Sequence, residues 1–156
     1  MRNVFKLFMT ACLLVSVAMT GVAQKDYSKS EGLLKYVDPY IGSGFHGHVF
    51  VGTSVPYGMV QVGPNNIHKG WDWCSGYHYS DSILIGFSQT HLNGTGCTDL
   101  GDIMIMPMNE IRTERGKQSD ISNGYASKYS HENEIARPEY YSLLVERYNI
   151  KAEMTA

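Results

Sequence analysis

Residues 70–102 read GWDWCSGYHYSDSILIGFSQTHLNGTGCTDLGD, and this stretch decides the fold. It holds both tryptophans of the 156-residue chain, Trp71 and Trp73. Short apolar runs alternate with polar, Gly-rich punctuation, the composition of a polar site carried on a β scaffold. If the segment around Trp71 is extended, side chains alternate between faces. Trp71, Trp73, Ser75 and Tyr77 then share one face, and Asp72, Cys74, Gly76 and His78 the other. That geometry predicts an aromatic surface, whose indole faces suit the C–H face of a sugar ring while nearby polar groups take its hydroxyls. The competing reading places both tryptophans in the core.

Outward from this stretch the pattern stays β. Residues 83–88 (ILIGFS) and 103–107 (IMIMP) are short apolar runs bounded by turn residues, too short for a core helix, and are the strongest buried-strand candidates. On the N-terminal side Pro39, Gly42, Gly44, Gly47 and Gly52 break any helix, which leaves short extended pieces at 40–41 and 48–51. Residues 59–62 predict a strand that ends at a Gly63-Pro64 turn. The polar run 109–124 reads as a surface loop. Strands are expected at 125–131 and at 140–148, the second alternating through Tyr141, Leu143 and Val145, and residues 150–155 alternate strictly. An alternating strand wants a turn and a partner after it, so a truncated chain is expected. The sum is an all-β fold, an antiparallel β-sandwich forming one domain at most.

Composition excludes some partners. The formal net charge is −2, and Lys and Arg are scattered, so nothing supplies the basic footprint that nucleic acid requires. The N-terminus has a basic start, an apolar run at 7–20 and small residues Gly21, Val22 and Ala23 before Gln24, which predicts a secretory signal peptide at 1–23. The apolar run is a poor membrane span, so export to the periplasm or medium is expected. Residues 24–35 read as a flexible leader, with order beginning near Tyr36. Cleavage would remove Cys12, leaving Cys74 and Cys97, which fit either one disulfide or two buried thiols.

Three constellations bear on chemistry, each with a plainer alternative. His46-x-His48 has ligand spacing for zinc, copper or iron, but Gly52 and Thr53 stand where a cupin-type site would add a carboxylate, so two polar loop residues are the alternative. Asp99 and Asp102, with Asp72 as a third, resemble paired carboxylates for glycoside chemistry, and equally resemble Asp residues ordering Gly-rich turns. Asn93-Gly94-Thr95 is a glycosylation sequon that also reads as a turn.

The segments VDPYIG (37–42), GHVF (47–50), VPYGMVQ (55–61), GWDWCSGYHYSD (70–81), IGFS (85–88), HLNGTG (91–96), DLGD (99–102), YSHENE (129–134), PEYY (138–141) and IKAEMT (150–155) occur in an order that resembles the N-terminal domain of glycoside hydrolase family 92. The resemblance runs from residue 36 to 156. It implies a bacterial, calcium-dependent, inverting exo-α-mannosidase acting on mannose-containing glycans such as N-glycans or yeast mannan. In that family an N-terminal β-sandwich packs on an (α/α)6-barrel catalytic domain, and the acid Glu, base Asp and most calcium ligands come from the latter. The expectation is therefore no catalytic residue and no metal ligand in this chain, a missing C-terminal catalytic domain, and substrate-binding roles for Trp71, Trp73 and His78. Tyr40 and Tyr57 stand where Phe is frequent. The rival class is a free-standing carbohydrate-binding β-sandwich without catalysis.

Overall fold

The apolar run Ile83–Ser88 forms the middle strand of a three-stranded sheet, β2, flanked by β1 (Gly63–Asn66) and β3 (Ser127–Lys128). A second three-stranded sheet has the order β4 (Glu134–Arg137), β5 (Tyr140–Val145), β6 (Ile150–Met154). Every pairing is antiparallel. This computed structural model describes residues 32–55, 58–94 and 96–156, and the expected signal peptide and most of the leader lie outside them. Among the described residues the only helical pieces are 3-10 turns, at Gly32–Tyr36, Trp71–Trp73, His131–Asn133 and Glu146–Tyr148. The chain is the all-β, two-sheet sandwich that its pattern predicts.

The two inner faces meet in one core. Leu84 and Phe87 come from β2, Tyr141, Leu143 and Val145 from β5, and Val51, Tyr77, Tyr129 and Tyr148 fill between. Phe87 and Tyr141 meet edge to face, 6.4 Å between ring centres. The period-2 pattern explains why: Tyr141, Leu143 and Val145 are all fully buried, and the register pairs them with Met154, Ala152 and Ile150 on the same face of β6. Lys151 and Glu153 face solvent.

Four expected boundaries move. Pairing begins at Gly63, where a turn was expected, while residue 62 joins Thr53 only in an isolated bridge. A Cβ at Gly63 would lie 2.2 Å from the Val51 carbonyl oxygen, so glycine permits a close backbone crossing there, and Pro64 is tolerated because β1 is an edge strand. The expected strand at 103–107 shrinks to a single bridge between Ile105 and Phe87. Leu100 and Ile103 have left-handed backbones, φ 65° and 53°, which break extension, and Ile103 is 70% exposed. The strand expected at 125–131 pairs only at Ser127–Lys128. The strand expected at 140–148 ends at Val145, because Glu146–Tyr148 turns and Asn149 takes φ 51°, a conformation Asn tolerates. Arg147 then ties the incoming loop to the sheet: its guanidinium donates to the carbonyls of Ala126 (2.9 Å) and Ile121 (2.7 Å).

Glu134 ties the second sheet to the segment that leads into β2. Its carboxylate is fully buried and accepts from Tyr141 Oη (2.6 Å), Tyr77 Oη (3.2 Å) and His131 Nδ1 (2.5 Å). The other imidazole nitrogen, His131 Nε2, faces the Tyr79 carbonyl at 2.6 Å, so both ring nitrogens are engaged. Burial, and then the adjacent Glu134 charge, push the Tyr141 phenol well above its ordinary range, so it stays a donor. Replacing Glu134 by Ala leaves buried phenols without their acceptor. The expected cost is on the order of 3 kcal/mol in denaturant unfolding, against no measurable change for Glu132→Ala on the exposed side of the same turn.

Candidate functional site

The segment expected to be extended is a tight turn. Trp71–Trp73 is a 3-10 helix entered at Gly70 (φ 120°) and closed by Cys74, whose N–H donates to the Trp71 carbonyl at 3.2 Å. Three residues per turn send neighbouring side chains in different directions, so Trp71 and Trp73 do not share a face. The Gly residues on both sides, Gly70 and Gly76 (φ 86°), hold left-handed backbone that an extended strand would not need.

Trp73 turns inward. Its ring stacks on His78 at 4.3 Å and 21°, and its Nε1 donates to Asp81 Oδ2 at 2.8 Å. Lys69 Nζ reaches the same Asp81 oxygen at 2.7 Å and lies over the Trp73 ring. His78 is buried with both ring nitrogens spent: Nε2 donates to the Phe45 carbonyl (3.2 Å), and Nδ1 accepts from Ser80 (2.8 Å from Oγ). These two residues form a bolted layer behind the turn.

Trp71 turns outward and stays 56% exposed. His48 meets its ring edge-on at 4.2 Å and 88°, and His46 lies tilted at 5.2 Å. The loop at 93–98 closes over its nitrogen edge: a Cβ at Gly96 would stand 2.5 Å from Trp71 Nε1, so glycine is what lets the loop rest there. That loop is fixed to the histidine segment, since Gly94 N–H donates to the His48 carbonyl (2.7 Å) and the Asn93 side chain accepts from Phe50 N–H (3.0 Å). Gly94 takes left-handed backbone (φ 70°), while Thr95, the third residue of the sequon, lies outside the described residues.

Asp72 gathers the histidines. Its Oδ1 lies 2.5 Å from His46 Nδ1 and 3.8 Å from His48 Nε2. The His46 hydrogen bond holds its carboxyl below the usual carboxylate range. His46 is two-thirds exposed, whereas His48 is buried and its Nε2 meets no hydrogen-bond partner among the described residues. Sequence spacing pairs His46 with His48 but separates both from Asp72, because His46 and Asp72 lie 26 positions apart and the left-handed backbone at His48 (φ 54°) has no signature in its spacing. Among the described residues no group of three or more His, Cys, Asp or Glu is placed to hold a metal ion, so the His46-x-His48 metal reading finds no third ligand.

The remaining candidates are structural in their placement. His91 is buried, stacked on Phe50 and bonded through Nδ1 to the Gln61 carbonyl at 2.7 Å, and burial pushes its imidazole toward the neutral form. Asp99 accepts from its neighbour's N–H at Leu100 (2.8 Å), and Asp102 exchanges bonds with Thr90, so both order turns. Cys74 is buried and its thiol is pushed up by burial, while Cys97 is exposed, which departs from the alternative of two buried thiols.

The opposite settings of the two indoles predict a fluorescence result. Trp71→Phe should remove the acrylamide-quenchable, red-shifted emission, and Trp73→Phe the shielded component. Equal quenching of both single-tryptophan variants would contradict this placement.

Comparison with known proteins places this arrangement. Residues 36–156 match the glycosyl hydrolase family 92 N-terminal domain. An uncharacterized secreted glycosidase of Arthroderma benhamiae is 31% identical over 124 residues, 79% of this chain and 16% of that protein. A family GH92 α-mannosidase from Bacteroides thetaiotaomicron, solved in complex with mannoimidazole, is 42% identical with a TM-score of 0.76, covering 81% of this chain and 17% of that one. A second mannosidase of Bacteroides thetaiotaomicron, described as inverting, shares the fold at 22% identity and TM-score 0.55, covering 82% of this chain and 17% of that one. The chain therefore spans about a sixth of the length of these relatives.

Proposed function

Because the chain belongs to glycoside hydrolase family 92 through its N-terminal domain, we propose that it forms the aromatic wall of the sugar pocket in an exported, calcium-dependent, inverting exo-α-mannosidase. The substrates are terminal α-mannosides, α-1,2-linked ones of N-glycans or mannan foremost. The observation that carries this reading is Trp71: an exposed indole on a layer of two histidines, beside an accessible carboxylate. An exposed aromatic face with polar groups at its rim suits a pyranose. Trp73 and His78, behind the turn, would act on the sugar by holding Trp71 in place.

Inversion needs a general acid and a general base about 6.5–9.5 Å apart, with room for a water. Asp72 is engaged by His46, and Asp99 and Asp102 order turns. Following the family resemblance, the acid and base are assigned to a downstream catalytic part of the polypeptide. Calcium takes six to eight oxygen ligands. Among the described residues no group of three or more His, Cys, Asp or Glu is placed to hold a metal ion, and the chemistry assigned to this chain runs through none.

Two outcomes follow. The purified 156-residue chain should not hydrolyse α-1,2-mannobiose with calcium present. Turnover abolished by Asp72→Asn, Asp99→Asn or Asp102→Asn would move the catalytic carboxylates into this domain. In the polypeptide joined to its catalytic part, Trp71→Ala should leave the melting temperature nearly unchanged while costing about 2–3 kcal/mol of transition-state binding, roughly 30- to 160-fold in kcat/KM. A folded variant with unchanged kcat/KM would remove Trp71 from the pocket.

A further inference from the structure

Resting on the sugar-wall reading of Trp71, we infer that His48 and Asp72 form a clamp for a single sugar hydroxyl, and that His46 occupies the hydroxyl's place on Asp72 when no sugar is bound. The argument starts from an orphan. His48 is 6% exposed, yet its Nε2 has no hydrogen-bond partner among the described residues. Buried ring nitrogens are otherwise satisfied here, as both are in His78 and His91. The polar atom facing His48 Nε2 is Asp72 Oδ1, at 3.8 Å, beyond hydrogen-bond reach but spanned by one oxygen bonded to both.

His46 explains why the gap persists. Its Nδ1 takes the Asp72 oxygen at 2.5 Å, but its side chain is 67% exposed and its ring lies tilted 5.2 Å from the Trp71 ring. A side chain held that way can swing out, whereas His48 cannot. Its carbonyl is bonded to Gly94 and its ring packs edge-on against Trp71. Displacing His46 uncovers the Trp71 face for a ring and the Asp72–His48 pair for a hydroxyl at that ring's edge. The hydroxyl donates to the carboxylate and accepts from His48 Nε2–H, which uses both of its capacities. A site built this way discriminates against a sugar lacking that hydroxyl, because the buried His48 is then left unpaired again.

The test uses the polypeptide joined to its catalytic part, with D-mannose and its 2-, 3-, 4- and 6-deoxy analogues as probes. One analogue should bind the wild type about tenfold or more weakly than mannose, and in His48→Asn or Asp72→Asn that penalty should vanish. Asn is chosen at 48 because it tolerates the left-handed backbone there. A readout independent of folding variants is ring 15N NMR of wild type: mannose should shift His48 Nε2 and release the His46 Nδ1 hydrogen bond. His46→Ala should bind mannose more tightly. If mannose binds with unchanged ring signals, or both variants keep the full deoxy penalty, the clamp is overturned while the Trp71 wall stands. If mannose does not bind wild type, both fall.

Discussion

A carboxylate buried between two sheets is the constraint on which this structure depends. Glu134 sits on β4, takes a phenol from β5 through Tyr141, and takes another from Tyr77, in the segment that leads out of the tryptophan turn. A buried charge is tolerated only when it is paired and fully hydrogen-bonded. His131 supplies the pairing and reaches on to the Tyr79 carbonyl, with its ring stacked on Tyr79 at 4.2 Å. One carboxylate thereby ties β4 and β5 to the segment that leads into β2 and engages it on both sides of His78.

From there the constraint passes to the surface. His78 donates its backbone N–H to the Asn66 side chain, which also bonds Tyr129 Oη and the Ile83 carbonyl, so the turn is anchored to β1, β2 and the core at once. Trp73 stacks on His78 and is tied to Asp81. With that layer immobile, the 3-10 turn has one direction left for Trp71, which is outward, against the histidines of the Gly-rich segment. Side chains held by a rigid second layer are the arrangement that binding sites require.

The sheet strands were legible wherever burial imposed a period. The strict alternation of β6 comes through because it has one wet and one dry face, and Tyr141, Leu143 and Val145 on β5 come through as its apolar partners across the ladder. Ile83–Ser88 was legible as an apolar run. The reading failed where backbone conformation overrode side-chain pattern: Ile103 in a left-handed conformation inside an apolar run, Asn149 ending a strand, and Gly63 starting one for reasons of close approach. At the candidate site, the tryptophans were found by composition, but their alternation was misread. A three-residue 3-10 turn has no hydrophobic period to show, and its signal is the pair of glycines at 70 and 76. The meeting of Asp72 with His46 and His48 is a tertiary contact, set by the fold and invisible to local spacing.

The family membership and the exposed indole lead to one central claim, that sugar lies on Trp71 and not on Trp73. The two indole N–H resonances report on it separately, since Trp73 Nε1 is locked to Asp81 while Trp71 Nε1 lies under Gly96 at the open edge. Titrating 15N-tryptophan-labelled protein with mannose should move the Trp71 signal in a saturable way and leave that of Trp73 in place. A Trp71 signal that stays fixed while mannose binds elsewhere on the protein would contradict the account.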